Sequence, residues 1–386
     1  MKSRILFYLT TIFLVLTTAL FFLGQLSRVT FQSVPVNLYA YEIGLGAVFC
    51  FLVARFGFSP LKKRFAKIVS GFLLYLTLTS IMAAFSYSLI KNVVSFLYLL
   101  RLSVYLLFFV YLQDWWKAER FSHGVGKKLI LIFITWTIGT GFIQYFLYAN
   151  LQNLYYLGWD PHLYRMFGLY FEPAVAAGVY GLLAFYLLIV ELSVKTKWWR
   201  YIFIPILLVM LFLTYSRSAF LGIIVALAIW VWKKKSQRYL LLVVAVAVVF
   251  LFVSPRRFGE GMNLWRTSTI TSRLADYHQA FAVWKKKPFF GIGYNHIREE
   301  KREVVEDKTL IDISHSGASF HSSFLIILVT GGIVGLLWYL YFLKNLLAIN
   351  SAAFYGGIYL TVLSLFDNIF LHPLVLILYL VLVSLG

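Results

Sequence analysis

One cysteine, Cys50, stands in 386 residues, and it lies inside an apolar run. That excludes a disulfide framework and a thiolate metal site, and it leaves the redox compartment unmarked. Charge is scarce as well: 13% of residues are Asp, Glu, Lys or Arg, and only 15 are acidic. No Walker-type phosphate loop and no dinucleotide fingerprint occurs; the glycine turn GIGYN, Gly291 to Asn295, is too short and lacks a following helix signal. No repeat of fixed spacing and no low-complexity segment interrupts the chain. The first apolar run, 5–24, follows Lys2 and Arg4 but has no small-residue cleavage site before Arg28, so it is expected to stay as a helix.

What is abundant is apolar surface. Hydrophobic residues make up 61% of the chain, with 37 Phe, and the mean hydropathy is +0.82. Repeated apolar runs near the length of a bilayer crossing would find no core to fill in a soluble domain, so the expected fold class is all-α, a polytopic integral membrane protein. Runs fall at 5–24, 36–54, 67–86, 93–112, 128–149, 171–192, 201–215, 218–232, 239–253, 320–343, 351–368 and 371–385, which predicts about twelve spans. The net charge of +20 sits in short clusters between these runs. That is the pattern of topology signals and lipid head-group contacts, not of a nucleic-acid surface.

With a cytoplasmic N-terminus, nineteen basic residues fall inside, against Arg28, Lys91, Arg165 and Arg217 in the short outer connections. This fixes the expected orientation, with both termini cytoplasmic. Residues 1–253 then carry spans one to nine, 254–319 form one large outer loop, and 320–386 carry the last three spans. Within the loop, Thr271 or Ser272 is expected to cap a helix with Leu274, Tyr277, Phe281 and Trp284 on its apolar side. It ends at Lys285–Lys287 before Pro288 and reads as an interfacial helix. Arg298 to Asp307 reads as a mixed-charge, solvated segment, after which His315, Ser316 and His321 lead back to the membrane.

The outer side gathers Arg165, Glu172, Arg217, Arg273, His278, His315, His321, Asp367 and His372, whereas the inner loops offer basic clusters with Asp114, Glu119 and His123 beside them. Chemistry therefore belongs outside, where no ATP or nucleotide sugar is expected, and the substrate must arrive already activated. A glycan on a polyprenyl diphosphate is the donor of that kind. Its leaving diphosphate suits fixed arginines, for which Arg217 and Arg273 are the candidates and no metal is needed. Its acceptor hydroxyl suits a histidine base, for which His321 is the candidate, with Gly317, Ser322 and Ser323 leaving room nearby. Plainer roles stand beside these: Arg217 as a membrane anchor, Arg273 as a head-group contact, His321 as a helix cap. Glu172 also suits a helix dipole, Asp367 and His372 an outer turn, and Gly331, Gly332 and Gly335 close helix packing.

RMFGLYFEP (165–173), TYSRSAFLG (214–222), TSRLADYHQAFAVWKKKPFFGIGYN (271–295), FHSSFLIILVTGGIVGL (320–336) and SLFDNIFLHP (364–373) occur in an order that resembles the O-antigen ligase and polymerase superfamily. The likeness spans roughly 160–375. It implies a metal-independent, cofactor-free membrane glycosyltransferase of GT-C-like build with a large periplasmic loop. Arg217 and Arg273 take the positions that hold the donor diphosphate in that family, and His321 the position that activates the acceptor; Arg165, Glu172 and His372 are supporting candidates. The implied partners are an undecaprenyl-diphosphate-linked glycan donor, a lipid or glycan acceptor such as lipid A core, and membrane lipids. A ligase and a polymerase both satisfy the pattern. A flippase of lipid-linked glycans fits less well, because Glu42 and Arg101 are the only charges well inside apolar runs and no paired halves appear. The compact outer loop and the lack of a long C-terminal tail depart from the best-known ligases and leave the acceptor open.

Overall fold

The computed structural model describes residues 2–30, 36–189, 200–234, 267–304 and 319–386. In chain order the helices are α1 (Lys2–Phe22), α2 (Ala40–Phe56), α3 (Arg64–Ala84), α4 (Leu89–Ala118), α5 (Arg120–Leu147), α6 (Pro173–Ile189), α7 (Arg200–Leu213), α8 (Arg217–Lys234), α9 (Ser268–Lys286), α10 (Ile297–Val304), α11 (Ser323–Leu347), α12 (Ser351–Phe366) and α13 (Pro373–Leu385). A short hairpin, β1 (Arg28–Thr30) against β2 (Asn37–Tyr39), joins α1 to α2, with Arg28 opposite Tyr39. Every predicted apolar run among the described residues forms a helix; 239–253 lies outside them. Ile5–Phe22, Arg64–Ala84, Leu89–Ala118, Ser122–Leu147 and Ser323–Leu347 are long and apolar enough to cross a bilayer, and Pro173–Ile189, Ile202–Leu213, Ser351–Phe366 and Pro373–Leu385 are shorter apolar helices. Large side chains such as Leu78, Leu100, Ile143 and Leu337 face outward from these helices, as lipid-facing positions of a multi-pass membrane protein do.

The core is built from aromatics that reach across helices. Tyr359 on α12 lies against Gly181 of α6, where any Cβ would collide with its ring, and its hydroxyl donates to the Ala177 carbonyl at 2.7 Å. Tyr379 on α13 donates to Ala353 at 2.7 Å. A buried phenol needs such an acceptor, and these carbonyls supply it inside the apolar layer. They draw together α6, α12 and α13, and α8 packs on the far side of α12. Glu42 and Arg101 pair with each other at 2.8 Å. Glu42 sits in the first turn of α2 and also accepts from the Tyr39 amide at 2.9 Å, while Arg101 stands well inside α4.

α11 is broken at Gly332, whose φ of 66° and ψ of −170° belong to glycine alone. The chain after α9 fills the break. Ile333 N donates to Pro288 O at 2.9 Å, Ile292 N to Val329 O at 3.0 Å and Gly293 N to Thr330 O at 3.0 Å. The glycines in this helix therefore do more than permit packing: one opens the helix so that the GIGYN segment can hydrogen-bond into it. Gly332→Ala would place a Cβ against the Phe289 carbonyl, whereas the nearest atoms to a Cβ at Gly331 lie at 3.6 Å. Gly332→Ala is expected to cost about 3 kcal/mol or more and to lower the melting temperature in detergent, with Gly331→Ala close to wild type. Equal melting temperatures for the two variants would show that the break carries no strain.

Two expectations about residues 254–319 need correction. α9 begins at Ser268, with Thr267 as its cap residue, not at Thr271 or Ser272. Its packed side is Asp276, Ala280 and Val283, while Leu274 and Phe281 are exposed. Of the expected apolar side, Tyr277 and Trp284 pack against the cluster of Ala280 and Val283 while Leu274 and Phe281 face away, and the inward side admits an aspartate because a lysine pairs with it. The segment after it is not solvated throughout: within α10, Ile297, Glu300 and Lys301 are buried. Glu300 is tied to Lys286 at 2.8 Å and to the Tyr87 hydroxyl at 2.5 Å.

Candidate active site

The ends of α1, α3, α5, α7 and α12 and the starts of α2, α4, α6, α8, α11 and α13 share one end of the bundle, because the described chain alternates direction from helix to helix. That end holds a cavity of about 710 Å³, lined among others by Glu172, His321, Asp367, Asn368 and His372. Every supporting and catalytic candidate except the three arginines thus borders one space. The arginines lie behind its wall.

Arg217 opens α8 directly after a turn that the sequence stiffens with small polar residues. Thr214 Oγ1 donates to Leu211 O at 2.7 Å, and Ser216 N donates to Thr214 Oγ1 at 3.3 Å. Tyr215 is held at a φ of 52°, a strained value for a bulky residue. Arg165 braces the same turn, its Nε donating to Thr214 O at 2.9 Å. Arg217 lies within electrostatic reach of both Arg273 and Asp367.

Arg273 projects from α9 to the carboxylate that follows α12. Its Nη2 donates to Asp367 Oδ1 at 2.7 Å and Oδ2 at 2.9 Å. Ser218, on the first turn of α8, donates to Asp367 Oδ2 at 2.7 Å and lies 3.2 Å from Ser216 Oγ. Asp367 therefore ties α8, α9 and α12 together beside the two arginines. Burial pushes its carboxyl up, against the pull of Arg273 and Ser218. Sequence reasoning assigned Asp367 a structural place in an outer turn. Its partners Ser218 and Arg273 lie 149 and 94 positions earlier, on α8 and α9, so no local pattern marks it.

His321 is held through its backbone. His321 N donates to Asp276 Oδ2 at 2.6 Å, and Lys301 Nζ bonds Asp276 Oδ1 at 2.7 Å and Ser319 O at 2.7 Å. The ammonium also lies 4.2 Å from the centroid of the Phe320 ring. Burial pushes the Lys301 ammonium down in pKa, and Asp276 opposes that shift. Ser322 and Ser323, expected to leave room, instead fasten the segment: Ser322 Oγ donates to Ser364 O at 2.9 Å and Ser323 Oγ to Asn368 Oδ1 at 3.1 Å. His321 precedes the helix, and Ser322 is its cap residue. His321 acts electrostatically on Asp367. His315, Ser316 and Gly317 lie outside the described residues.

Glu172 follows Phe171, whose φ is 59°, and its Oε2 lies 3.3 Å from His162 Nε2. Removal from water opposes its ionisation, but His162 and Arg165 hold its pKa at about 2. His372 caps α13 with Pro373 at the first helical position. Burial holds its pKa at about 4, which makes it a neutral group and only a weak base at ordinary pH. Among the described residues, no group of three or more His, Cys, Asp or Glu gathers in a metal-binding cluster.

Residues 202–340 match the sequence profile of the family described as O-Antigen ligase. The matched stretch contains Arg217, Arg273, Asp276, Lys301 and His321. No curated protein matches the chain.

Proposed function

We propose that the chain, whose residues 202–340 match the O-Antigen ligase profile, is a membrane glycosyltransferase of that superfamily that moves a glycan from undecaprenyl diphosphate to an acceptor hydroxyl at the periplasmic face. The observation that carries this reading is the gathering of Arg273, Arg217 and Asp367 beside the cavity that His321 borders. Arg273 gives only Nη2 to Asp367, so its Nε and Nη1 make no other hydrogen bond among the described residues. A guanidinium clamped by one nitrogen keeps its remaining donors in a fixed plane, which suits a diphosphate oxygen. Arg217 adds the second cation against the charge that builds on the leaving group.

In the proposed step, His321 takes the proton from the acceptor hydroxyl as its oxygen bonds to the anomeric carbon. The bond from that carbon to the diphosphate breaks, and the diphosphate leaves with the electron pair, held by Arg217 and Arg273. A single displacement inverts the anomeric configuration, giving a β product from an α-linked donor. Asp276 positions His321, Asp367 positions Arg273, and Arg165 holds the turn that presents Arg217.

The test is transfer by the purified full-length protein from an undecaprenyl-diphosphate-linked glycan, read on gels. One added block on lipid A core identifies a ligase, and a ladder of lengths identifies a polymerase. Movement of label between leaflets without a new glycosidic bond would refute both. In the same assay Arg217→Lys and Arg273→Lys are each expected to lower the rate about a hundredfold, since a point charge does not reproduce the planar fork. EDTA is expected to leave the rate unchanged, and inhibition reversed by a divalent ion would refute the metal-free chemistry.

A further inference from the structure

The side of the cavity formed by β1 and the segment after α5 contains a cation that the transfer step does not use. Arg28 lies with its guanidinium carbon 5.6 Å from the centroid of the Trp159 ring. It makes no ion pair among the described residues, and the groups that act on its charge are Tyr39, Tyr98 and Arg101, none of them a carboxylate. Arg101 is already engaged by Glu42 at 2.8 Å. Asp160, which also borders the cavity, is exposed and is not among the groups acting on Arg28. Glu172, also on the cavity, acts on His372 but is not among the groups acting on Arg28, so Arg28 keeps a positive charge, partly withdrawn from water, with no carboxylate of its own.

Three buried polar atoms on the same stretch of wall are without hydrogen-bond partners: Gln25 Oε1, Arg28 Nε and His372 Nδ1. All three residues line the cavity, and Gln25 is only 7% exposed. Buried polar groups are normally paired, and a half-buried guanidinium without an acid is costly, so a cluster of this kind on a cavity wall marks where a ligand completes the set. Gln25 and Arg28 are held in register by Gly24, whose φ of 52° turns the chain after α1 against Leu169.

We propose that Arg28, Gln25 and His372, flanked by Trp159 and Tyr98, form a saccharide subsite that takes the carboxylate of an acidic sugar in the transferred or receiving glycan. A guanidinium fork fits a carboxylate with two parallel hydrogen bonds. A carboxylate also matches the one uncompensated charge, whereas a phosphate monoester would bring nearly two. The aromatic side chains give the ring an apolar surface, and the neutral amide and imidazole supply hydrogen-bonding groups for its hydroxyls. The inference rests on the glycosyltransferase reading only in taking the bound molecule to be a glycan.

The experiment is equilibrium binding to the full-length protein in phosphatidylcholine nanodiscs, followed by tryptophan fluorescence. The probes are a tetrasaccharide of alternating glucuronate and N-acetylglucosamine and the neutral N-acetylglucosamine tetrasaccharide. Wild type is expected to bind the acidic probe at least about tenfold more tightly, the scale of a hydrogen-bonded charge pair. Arg28→Gln is expected to erase that preference while leaving the neutral probe within twofold, and Arg273→Gln to keep it. Arg28→Lys, which preserves charge and folding, is expected to retain only part of the preference. No preference in wild type, or one that survives Arg28→Gln, would overturn the subsite. Displacement of the acidic probe by inorganic phosphate at equal concentration, or by phosphatidylglycerol in the disc, would assign Arg28 to phosphate or to a lipid head group and overturn it too. Transfer measured on the same preparation separates the two readings: transfer without acid preference removes the subsite alone, and acid preference without transfer removes the enzyme alone.

Discussion

His321→Ala is expected to reduce transfer by about a hundred- to ten-thousandfold, the usual range for losing a positioned general base, with the protein still folded and in the membrane. Folding should survive because His321 is held by its backbone. The bond from His321 N to Asp276 Oδ2, at 2.6 Å, does not depend on the side chain. The residues that fasten the start of α11, Ser322 and Ser323, remain in place. His321→Gln sharpens the test, since it keeps hydrogen bonding while removing the basic nitrogen, and it should be as inactive as the alanine variant. His372→Gln should be far milder: burial holds the pKa of that imidazole at about 4, which makes it a weak proton acceptor near neutrality. Transfer rate against melting temperature for the three variants checks the assignment. Wild-type activity in His321→Gln would remove the imidazole from the mechanism.

The sequence was most informative where one local rule suffices. Apolar runs of bilayer length became helices, and Pro173, Pro373 and the serines and glycines between runs marked their ends. The shared end of Glu172, Arg217, His321, Asp367 and His372 was legible from counting helices, because each crossing reverses direction. What stayed hidden depends on pairs distant in sequence. Asp276 drew no expectation from the sequence; its inward placement requires Lys301, 25 positions away. Asp367 looked like a turn residue because its partners, Ser218 and Arg273, lie 149 and 94 positions earlier. Periodicity carries no trace of such partners. The interruption of α11 was hidden for a related reason: two adjacent glycines in an apolar helix read as a packing surface, and only the backbone hydrogen bonds from 288–293 show that the helix opens there.

Asp276→Ala is expected to have the largest effect on stability. It leaves Lys301, with its side chain 5% exposed, as an unpaired ammonium in the wall between α9 and α10, and removing one member of a buried pair costs about 3–5 kcal/mol. The same change removes the acceptor for His321 N, so loss of transfer in this variant would not by itself separate misfolding from misplacement. The double substitution Asp276→Leu with Lys301→Met makes that separation. Replacing both charges by apolar groups of similar volume restores most of the stability, since neither ion is left without its partner. It does not restore the acceptor at His321 N or the donor to Ser319 O, both of which hold the segment entering α11. The double variant is therefore expected to melt near wild type and yet to transfer at least about tenfold more slowly, while binding the lipid-linked donor normally through Arg217 and Arg273. A double variant that regains both stability and rate would show that the ion pair only supports the fold. One that regains stability alone makes Asp276 the residue through which α9, already bound to Asp367 by Arg273 one turn earlier, sets the base and the diphosphate clamp in a common frame.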